Sequence, residues 1–445
     1  MEKCGIIGYY SNIPNNDFIK YSIDSLYRLQ HRGREGSGIS WIDGNITTFK
    51  GNGLVADVYK GFNTNISTNS VIGHNRYSTS GSISSGDNLQ PLITSFFSLV
   101  HNGNIIDYKS SNGKSDSQYI TELLMMGINN NNSYNDNISI LEQNLIKFVK
   151  GIEGVYCIII QTKTSLYLLR DRYGVRPFFY SISESGYYTI SSESVGFIER
   201  TIKTNIVSPG EIIRIDSRGL NRLYLYGNSK NYFCLFELIY FMDYNSQYKG
   251  EPVYNIRFKL GSKLSEIEDI DFNKENSIII GSPNSGIPGG QGYSFMSKIK
   301  YKQWVKKETG LGRTFILPDN NERKEKIKKG FKVDERIADR DIILIDDSIV
   351  RGNTMKGLIE KMRKYNPKSI HVRIVSPQIN NPCKMGIDLP TKEELVTYNR
   401  DIESIREFIG VDTLRYISLD VVYETVGDKL CTKICPCFVK KDIEW

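Results

Sequence analysis

A cysteine close to the start of the chain, in the run Cys4-Gly5-Ile6-Ile7-Gly8, is a candidate nucleophile. A thiol attacks as the thiolate and needs a base to reach that form. Removal of residues 1–3 turns the Cys4 nitrogen into an α-amine. With a pKa of about 7.7–8.0, such an amine can take the proton near neutrality. By itself a near-terminal cysteine reads first as a small buried hydrophobe opening a strand. A second concentration of chemistry is Ile342-Ile343-Leu344-Ile345-Asp346-Asp347-Ser348-Ile349-Val350-Arg351-Gly352-Asn353-Thr354. An apolar strand there delivers two carboxylates, followed by a glycine-containing loop and a helix. Backbone N–H groups at a helix start suit phosphate, and carboxylates at a strand's C-terminal end suit ribose hydroxyls. A dinucleotide site is the rival, but G-x-G-x-x-G is absent.

These groups need two different scaffolds. Residues 4–230 read as many short strands with few helices, for example 155–160, 165–169, 187–190 and 211–215, each bounded by Gly, Ser or Asp. Residues 20–30 and 116–128 carry helical apolar spacing. The asparagine-rich stretch 129–137 reads as a solvated loop. From about 231 the pattern becomes apolar strand, glycine loop, helix, as at 277–281 and 341–345, with the best helix over 352–364. That alternation predicts a parallel sheet with crossover helices. The boundary falls near 230, and no internal repeat is visible.

Four further segments change the weight of Cys4. They are Leu29-Gln30-His31-Arg32-Gly33, Gly73-His74-Asn75-Arg76-Tyr77-Ser78-Thr79, His101-Asn102-Gly103-Asn104 and Ser115-Asp116-Ser117. In order and spacing they resemble the class II, N-terminal-nucleophile glutamine amidotransferases. Residues 170–177 and 191–195 resemble further segments of the same domain. The resemblance implies an α+β four-layer αββα domain over 4–230, with residues 1–3 a removed propeptide and Cys4 the nucleophile. It implies that Arg76 grips the glutamine carboxylate, Asp116 pairs its ammonium, and Asn102 with the Gly103 N–H stabilises the oxyanion. His31, His74 and His101 are expected to be satisfied structural histidines, since no ligand spacing supports a metal. Two departures are Arg34-Glu35, where the family usually has Gln-Asp, and Ser78, where it usually has Pro.

The second half resembles type I phosphoribosyltransferases, an α/β parallel-sheet domain over 231–445. The implied phosphoribosyl pyrophosphate contacts are Asp346, Asp347, Ser348, Arg351, Gly352 and Thr354, with Arg313 from Gly312-Arg313-Thr314-Phe315-Ile316. Pro283-Asn284-Ser285-Gly286 resembles the family's Pro-Asp-Ser-Gly, one carboxylate short. Mg²⁺ is then expected at Ser285, Asp346 and Asp347. Together with Phe236-Glu237-Leu238-Ile239-Tyr240-Phe241, these segments resemble the glutamine phosphoribosylpyrophosphate amidotransferases. The implied reaction is hydrolysis of glutamine and transfer of its ammonia to phosphoribosyl pyrophosphate, giving 5-phosphoribosylamine, the entry to purine synthesis. Some members carry a [4Fe–4S] cluster. The matching thiols are Cys234, Cys383 and two from the tail Cys431-Thr432-Lys433-Ile434-Cys435-Pro436-Cys437, with Cys435 and Cys437 favoured and Cys431 as substitute. The tail spacings depart from the family's C-x-x-C. Cys157, in an apolar strand, is expected to be merely buried. The resemblance also implies a homotetramer inhibited by purine nucleotides.

Composition narrows the rest. The chain has 445 residues, 39% hydrophobic and 24% charged, which suits two soluble domains. No apolar run of 18 residues or signal peptide is present, so no membrane partner and a cytoplasmic location are expected. The net charge of +7 is spread along the chain without a nucleic-acid signature, and suits a polyanionic small substrate. The competing reading is a regulatory homologue that keeps the fold without turnover. Asn284, Asn353 and the irregular tail favour it, and retention of Cys4, Arg76, Asn102, Asp116, Asp346 and Asp347 opposes it.

Overall fold

The computed structural model describes residues 4–77, 88–105, 114–308, 330–383, 385–387, 389, 391–427 and 429–438. The chain divides into two compact units, Met1–Cys234 with Lys384–Asp388, and Leu235–Cys383 with Leu389–Trp445.

The first unit is built on two antiparallel sheets. One contains β1 (Gly5–Asn15), β2 (Gly36–Asp43), β3 (Asn45–Asn52), β4 (Thr68–Arg76), β9 (Phe179–Ile182), β10 (Tyr188–Ser191) and β11 (Asn205–Ile206), in the order β11-β9-β10-β1-β4-β2-β3. The other contains β5 (Leu92–Ile93), β6 (Ser98–Ile105), β7 (Gly154–Gln161), β8 (Leu166–Arg170), β12 (Glu211–Asp216) and β13 (Gly219–Leu225), in the order β13-β12-β8-β7-β6-β5. Period-two alternation explains the layering. Ile6 of β1 joins Ile72, Val100, Ile159 and Ile213 in the core between the sheets. Its neighbour Ile7 faces the other way, onto Phe18, Ile19 and Leu26 of α1 (Phe18–Arg28). The second sheet turns Leu99, Ile158 and Ile160 outward, onto α3 (Asp116–Met125) and α4 (Tyr134–Gly151). A one-turn helix, α2 (Val55–Val58), completes the unit. The layers are therefore helix, sheet, sheet, helix, as expected.

One element differs from the sequence reading. Residues 134–137 are not loop but the start of the 18-residue α4. Ser133 caps it, its Oγ accepting from the Asp136 N–H at 3.2 Å. Asn137 is buried, accepting from Asn129 N and Asn132 Nδ2 and donating to Asn129 O. Ser133 thus caps, and the asparagines brace, a helix whose apolar stripe, Leu141, Leu145 and Phe148, begins only after them.

In the second unit a five-stranded sheet comprises β16 (Ser277–Gly281), β17 (Lys300–Tyr301), β20 (Asp341–Asp346), β21 (Ser369–Ile374) and β22 (Thr413–Tyr416). The order is β17-β16-β20-β21-β22, and every neighbouring pair is parallel. The short antiparallel pairs β14 (Gln247–Tyr248) with β15 (Glu251–Pro252), and β18 (Val305–Lys307) with β19 (Phe331–Val333), lie outside it. Helices α5 (Val253–Glu266), α6 (Ile287–Ser297), α7 (Asn353–Arg363), α8 (Ile402–Ile409) and α9 (Leu419–Val426) complete the unit. Met355, Leu358 and Met362 of α7 and Ile405 of α8 pack on Ile278, Ile342, Leu344 and Val372. Strand order reverses between β16 and β20. That is the switch point at whose carboxyl edge open α/β sheets bind ligands, and the two loops singled out in the sequence both leave from it.

Candidate functional site

Cys4 is fully buried and directly precedes β1. The β1–β4 register pairs Gly5 with Asn75. Continued by one residue, it sets Cys4 beside Arg76 at the same end of the sheet. The Cys4 carbonyl accepts from Arg32 Nε at 3.2 Å, and the same guanidinium meets Glu193 through Nη1 at 2.5 Å. His31 Nε2 lies 2.8 Å from that carboxylate. Burial alone pushes the Glu193 pKa up, but the His31 and Arg32 charges outweigh it and bring it down to about 2. Ser192 Oγ accepts from Ile6 N at 3.0 Å. Arg32, Ser192 and Glu193 therefore brace the strand start that carries the thiol. The sequence reading quoted both segments but gave these residues no role.

By the same alternation Cys4 shares a face with Ile6, and Asn102 shares one with Val100. Ile6 and Val100 both lie in the core between the sheets. Both atoms of the Asn102 amide, and Arg76 Nε, are buried without a hydrogen-bond partner among the described residues. A dry, unbonded amide costs about 1–3 kcal/mol, so these atoms suit a polar ligand that arrives during function. Gly103 has no room for a side chain, because a Cβ there would sit 2.0 Å from the Val155 carbonyl oxygen.

Asp116 opens α3, whose start is closed by a Ser115–Gln118 capping box. Its carboxylate accepts from Ser117 N at 2.8 Å and from Ile105 N of β6 at 3.3 Å. Gln90, which the sequence reading missed, accepts from His101 N at 2.6 Å and donates to Ser117 Oγ at 3.1 Å. Ser117 Oγ also lies 3.0 Å from His101 Nδ1. These bonds tie the Asn102–Gly103 strand to the start of α3. A neutral glutamine in a loop carries no sequence signal for such a role.

His31 and His101 are partnered as expected, although His101 Nε2 is not. His74 corrects the expectation. Among the described residues neither ring nitrogen makes a hydrogen bond of ordinary geometry. Burial carries its pKa down to about 3, with the His101 and Arg76 charges pulling the same way and the His101 backbone opposing. Unfolded, a histidine titrates near about 6.5. The unfolded chain then binds a proton that the folded one refuses, so stability falls as pH drops below that value. We expect His74→Gln to remove roughly one proton from the slope of unfolding free energy against pH between about 6 and about 4. Urea unfolding across that range measures it, and an unchanged slope contradicts the assignment.

In the second unit Asp346 ends β20 and Asp347 follows it. Asp347 accepts from the hydroxyls of Ser285 and Ser348, and its N–H donates to Asp346 Oδ1 at 2.9 Å. Burial raises the pKa of both carboxyls. For Asp346 the Asp347 charge adds to it, whereas the hydroxyls and Arg257 oppose it at Asp347. Two adjoining carboxyls, Asp347 buried and Asp346 half-buried, with so little compensating charge suit a hard divalent cation. Gly352 caps α7 at φ +78°, with its Cβ position 2.9 Å from Val396 Cγ2, so backbone strain and space both require glycine. Thr354 lies in the first turn of α7. Arg351 reaches Glu394 at 3.3 Å on the surface, and its Nε is buried without a partner among the described residues. The Pro283–Asn284 peptide is cis and Asn284 is exposed. Arg313 lies outside the described residues.

The thiols of Cys383, Cys435 and Cys437 are buried, and their sulfurs lie within 4.8 Å of one another. Hydrogen bonds from the Cys383, Cys431 and Cys437 thiols hold the Cys435 pKa below the usual thiol range. Cys234 is buried in the first unit, its N–H donating to Val175 O at 3.0 Å. Burial pushes Cys157 up to about 12, so that thiol stays protonated.

The glutamine amidotransferase domain family matches residues 74–199. The amidophosphoribosyltransferase of Pyrococcus horikoshii is 37% identical over 428 residues, covering 94% of this chain and 91% of that protein. That of Methanothermobacter thermautotrophicus is 34% identical over 97% of this chain and 93% of its own length. The chain belongs to the amidophosphoribosyltransferase family. Among solved structures, the B. subtilis glutamine phosphoribosylpyrophosphate amidotransferase complexed with ADP and GMP superposes with a TM-score of 0.82 at 28% identity, covering 98% of this chain and 97% of that one. The αββα unit and the parallel-sheet unit are thus both accounted for by amidophosphoribosyltransferases.

Proposed function

We infer that the protein is an amidophosphoribosyltransferase. It hydrolyses glutamine and joins the ammonia to phosphoribosyl pyrophosphate, giving 5-phosphoribosylamine, glutamate and pyrophosphate, the first step of purine synthesis. The carrying observation is that relatives of this one activity match along nearly the whole chain. Purified protein given glutamine and phosphoribosyl pyrophosphate should form glutamate and pyrophosphate in equal amounts. Glutamate without pyrophosphate would refute the coupling. The non-catalytic reading rests on Asn284, Asn353 and the irregular cysteine tail, and the buried, unbonded Asn102 amide speaks for a working glutamine site.

Residues 4–230 are assigned to glutamine hydrolysis and 231–445 to transfer. Arg76 holds the substrate carboxylate and Asp116 its ammonium. The Cys4 sulfur attacks the side-chain carbonyl while its α-amine takes the thiol proton. The oxyanion rests on the Asn102 amide and the Gly103 N–H. Collapse breaks the C–N bond, with the proton returned to the departing nitrogen. Water then hydrolyses the thioester to glutamate. At the second site the start of α7, with Ser348, Arg351, Gly352 and Thr354, holds the 5-phosphate, and Asp346 and Asp347 hold the ribose and a cation. Arg313 is assigned to the same substrate. Mg²⁺ on Ser285, Asp346 and Asp347 would neutralise charge on the leaving pyrophosphate. Ammonia bonds to C1 and pyrophosphate departs.

An iron–sulfur cluster on Cys383, Cys435 and Cys437 with a fourth thiol fits the buried, sulfur-only donor set. Purine nucleotides are proposed as inhibitors, in keeping with the ADP and GMP of the B. subtilis complex. A homotetramer and a cytoplasmic location complete the proposal. Among the described residues no helix is long and apolar enough to cross a membrane.

The amine mechanism demands that residues 1–3, which lie outside the described residues, be removed. While Lys3 is attached, the Cys4 nitrogen is an amide and accepts no proton. Intact-mass measurement of glutamine-active protein should show Cys4 as the first residue. Full activity with Met1 or Glu2 in place contradicts it.

A further inference from the structure

We propose that the Ser376 hydroxyl is a further substrate contact of the transfer site, accepting a hydrogen bond from ammonia so that the nitrogen lone pair faces C1 of the ribose. This rests on the transfer reading above and deepens it.

The placement comes from the sheet. β21 ends at Ile374, which the parallel register sets beside Asp346. Val375 N then donates to Asp346 O at 3.0 Å, carrying the ladder one residue further. Ser376 comes next, at the carboxyl edge beside the strand that delivers the two carboxylates. Ile374 packs in the core on the α7 side. Val375 turns to the α6 side, its Cγ1 3.0 Å from the Cβ position of Gly289. By the same alternation Ser376 falls on the α7 side, as Asp346 does after Ile342 and Leu344. Two further bonds close that edge. Val396 N donates to Val350 O at 2.8 Å, and Thr397 Oγ1 donates to Ile379 O at 2.7 Å. They fasten one segment both to the loop after β20 and to the segment after β21.

The hydroxyl supplies the second observation. Ser376 is fully buried, and its Oγ has no hydrogen-bond partner among the described residues. A buried hydroxyl left unbonded destabilises the fold that holds it, so it suits a ligand that arrives during function. Ser277 is the other serine of the second unit with such a hydroxyl, and it opens β16 at the amino edge. Ser376 alone of the pair stands at the edge where open α/β sheets bind ligands. Chemistry then selects the substrate. The ribose and phosphates of phosphoribosyl pyrophosphate already have carboxylates, a cation and the start of α7 assigned to them, whereas ammonia has no contact. Ammonia carries three N–H donors and one lone pair. A neutral hydroxyl accepts one N–H through its own lone pairs and gives the nitrogen no proton, so the nucleophile survives. The nitrogen lone pair forms the C1–N bond while the C1–O bond breaks and pyrophosphate leaves with its electron pair. The nitrogen then gives one proton to pyrophosphate.

The test compares the full-length wild type with Ser376→Ala, using ammonium chloride in place of glutamine. Phosphoribosylamine formation is measured with KM determined separately for ammonia and for phosphoribosyl pyrophosphate, and thermal unfolding is recorded for both proteins. Ser376→Ala should lower kcat/KM for ammonia by about tenfold or more, with KM for phosphoribosyl pyrophosphate within about twofold of wild type. Its melting temperature should equal or exceed that of wild type, because the substitution deletes an unbonded buried hydroxyl. A hydroxyl that served the fold would move the melting temperature the other way. Unchanged kcat/KM for ammonia overturns the proposal. A rise in KM confined to phosphoribosyl pyrophosphate overturns it too, since the hydroxyl would then serve the ribose. So does a lowered melting temperature with both substrates affected alike. Wild-type protein that makes no phosphoribosylamine from ammonia refutes the transfer reading itself, and the proposal with it.

Discussion

With Cys4 replaced by alanine, glutamine-dependent formation of phosphoribosylamine is expected to fall by at least about a thousandfold, with ammonia-dependent formation within about twofold of wild type. The asymmetry follows from the architecture. Cys4 opens the first strand of the antiparallel unit. The carboxylates assigned to phosphoribosyl pyrophosphate end a strand of a separate parallel sheet. Removing the sulfur removes the only group assigned to attack the amide, and no part of the second site changes. Alanine also leaves the buried strand start intact, since Arg32 Nε bonds the Cys4 carbonyl rather than its side chain. Ammonia added at high concentration bypasses the first site. Parallel assays with glutamine and with ammonium chloride measure both rates, and equal loss of the two contradicts a two-site enzyme.

Asp346→Asn and Asp347→Asn are each expected to lose both activities, by about a hundredfold or more. Either nitrogen source needs bound phosphoribosyl pyrophosphate. Asparagine keeps the shape of each side chain and removes its charge. At Asp347 it also disturbs a carboxylate that accepts from two serine hydroxyls. Burial already raises both pKa values, so the pair is poised to gain from a cation, and one carboxylate fewer weakens that gain. Glutamine hydrolysis measured alone shows that the first unit still folds. A variant that makes phosphoribosylamine from ammonia at the wild-type rate places the ribose site elsewhere.

The two scaffolds were legible because their periodicities differ. Ile6 and Ile7 alternate between two cores, whereas Ile342 to Ile345 are buried continuously, as strands of a sheet covered on both faces must be. The chemistry-bearing residues were legible only as an ordered set. Arg76 and Asp116 read singly as surface ions, and only the ordered set of motifs assigns them to one site. What stayed hidden was long-range or masked by composition. Gln90 and Glu193 act through bonds to residues 11 to 162 positions away, which no local pattern announces. Asparagines concealed the first turn of α4, whose cap is Ser133, because they are neutral to poor helix formers. The tail cysteines looked irregular because their spacing was measured against the family's C-x-x-C, whereas the chain closes a helical turn from the Cys431 carbonyl to Cys435 N.

The central claim is that nitrogen from the glutamine side chain becomes the amine on C1 of ribose 5-phosphate. Purified protein should be given glutamine labelled with ¹⁵N in the amide, phosphoribosyl pyrophosphate, and an excess of unlabelled ammonium at a pH where little free ammonia exists. Mass spectrometry of the trapped phosphoribosylamine reads the origin of its nitrogen. The account predicts product carrying predominantly ¹⁵N, with the label lost in Cys4→Ala. Label diluted to the isotope ratio of the bulk ammonium, or label that persists in Cys4→Ala, contradicts it.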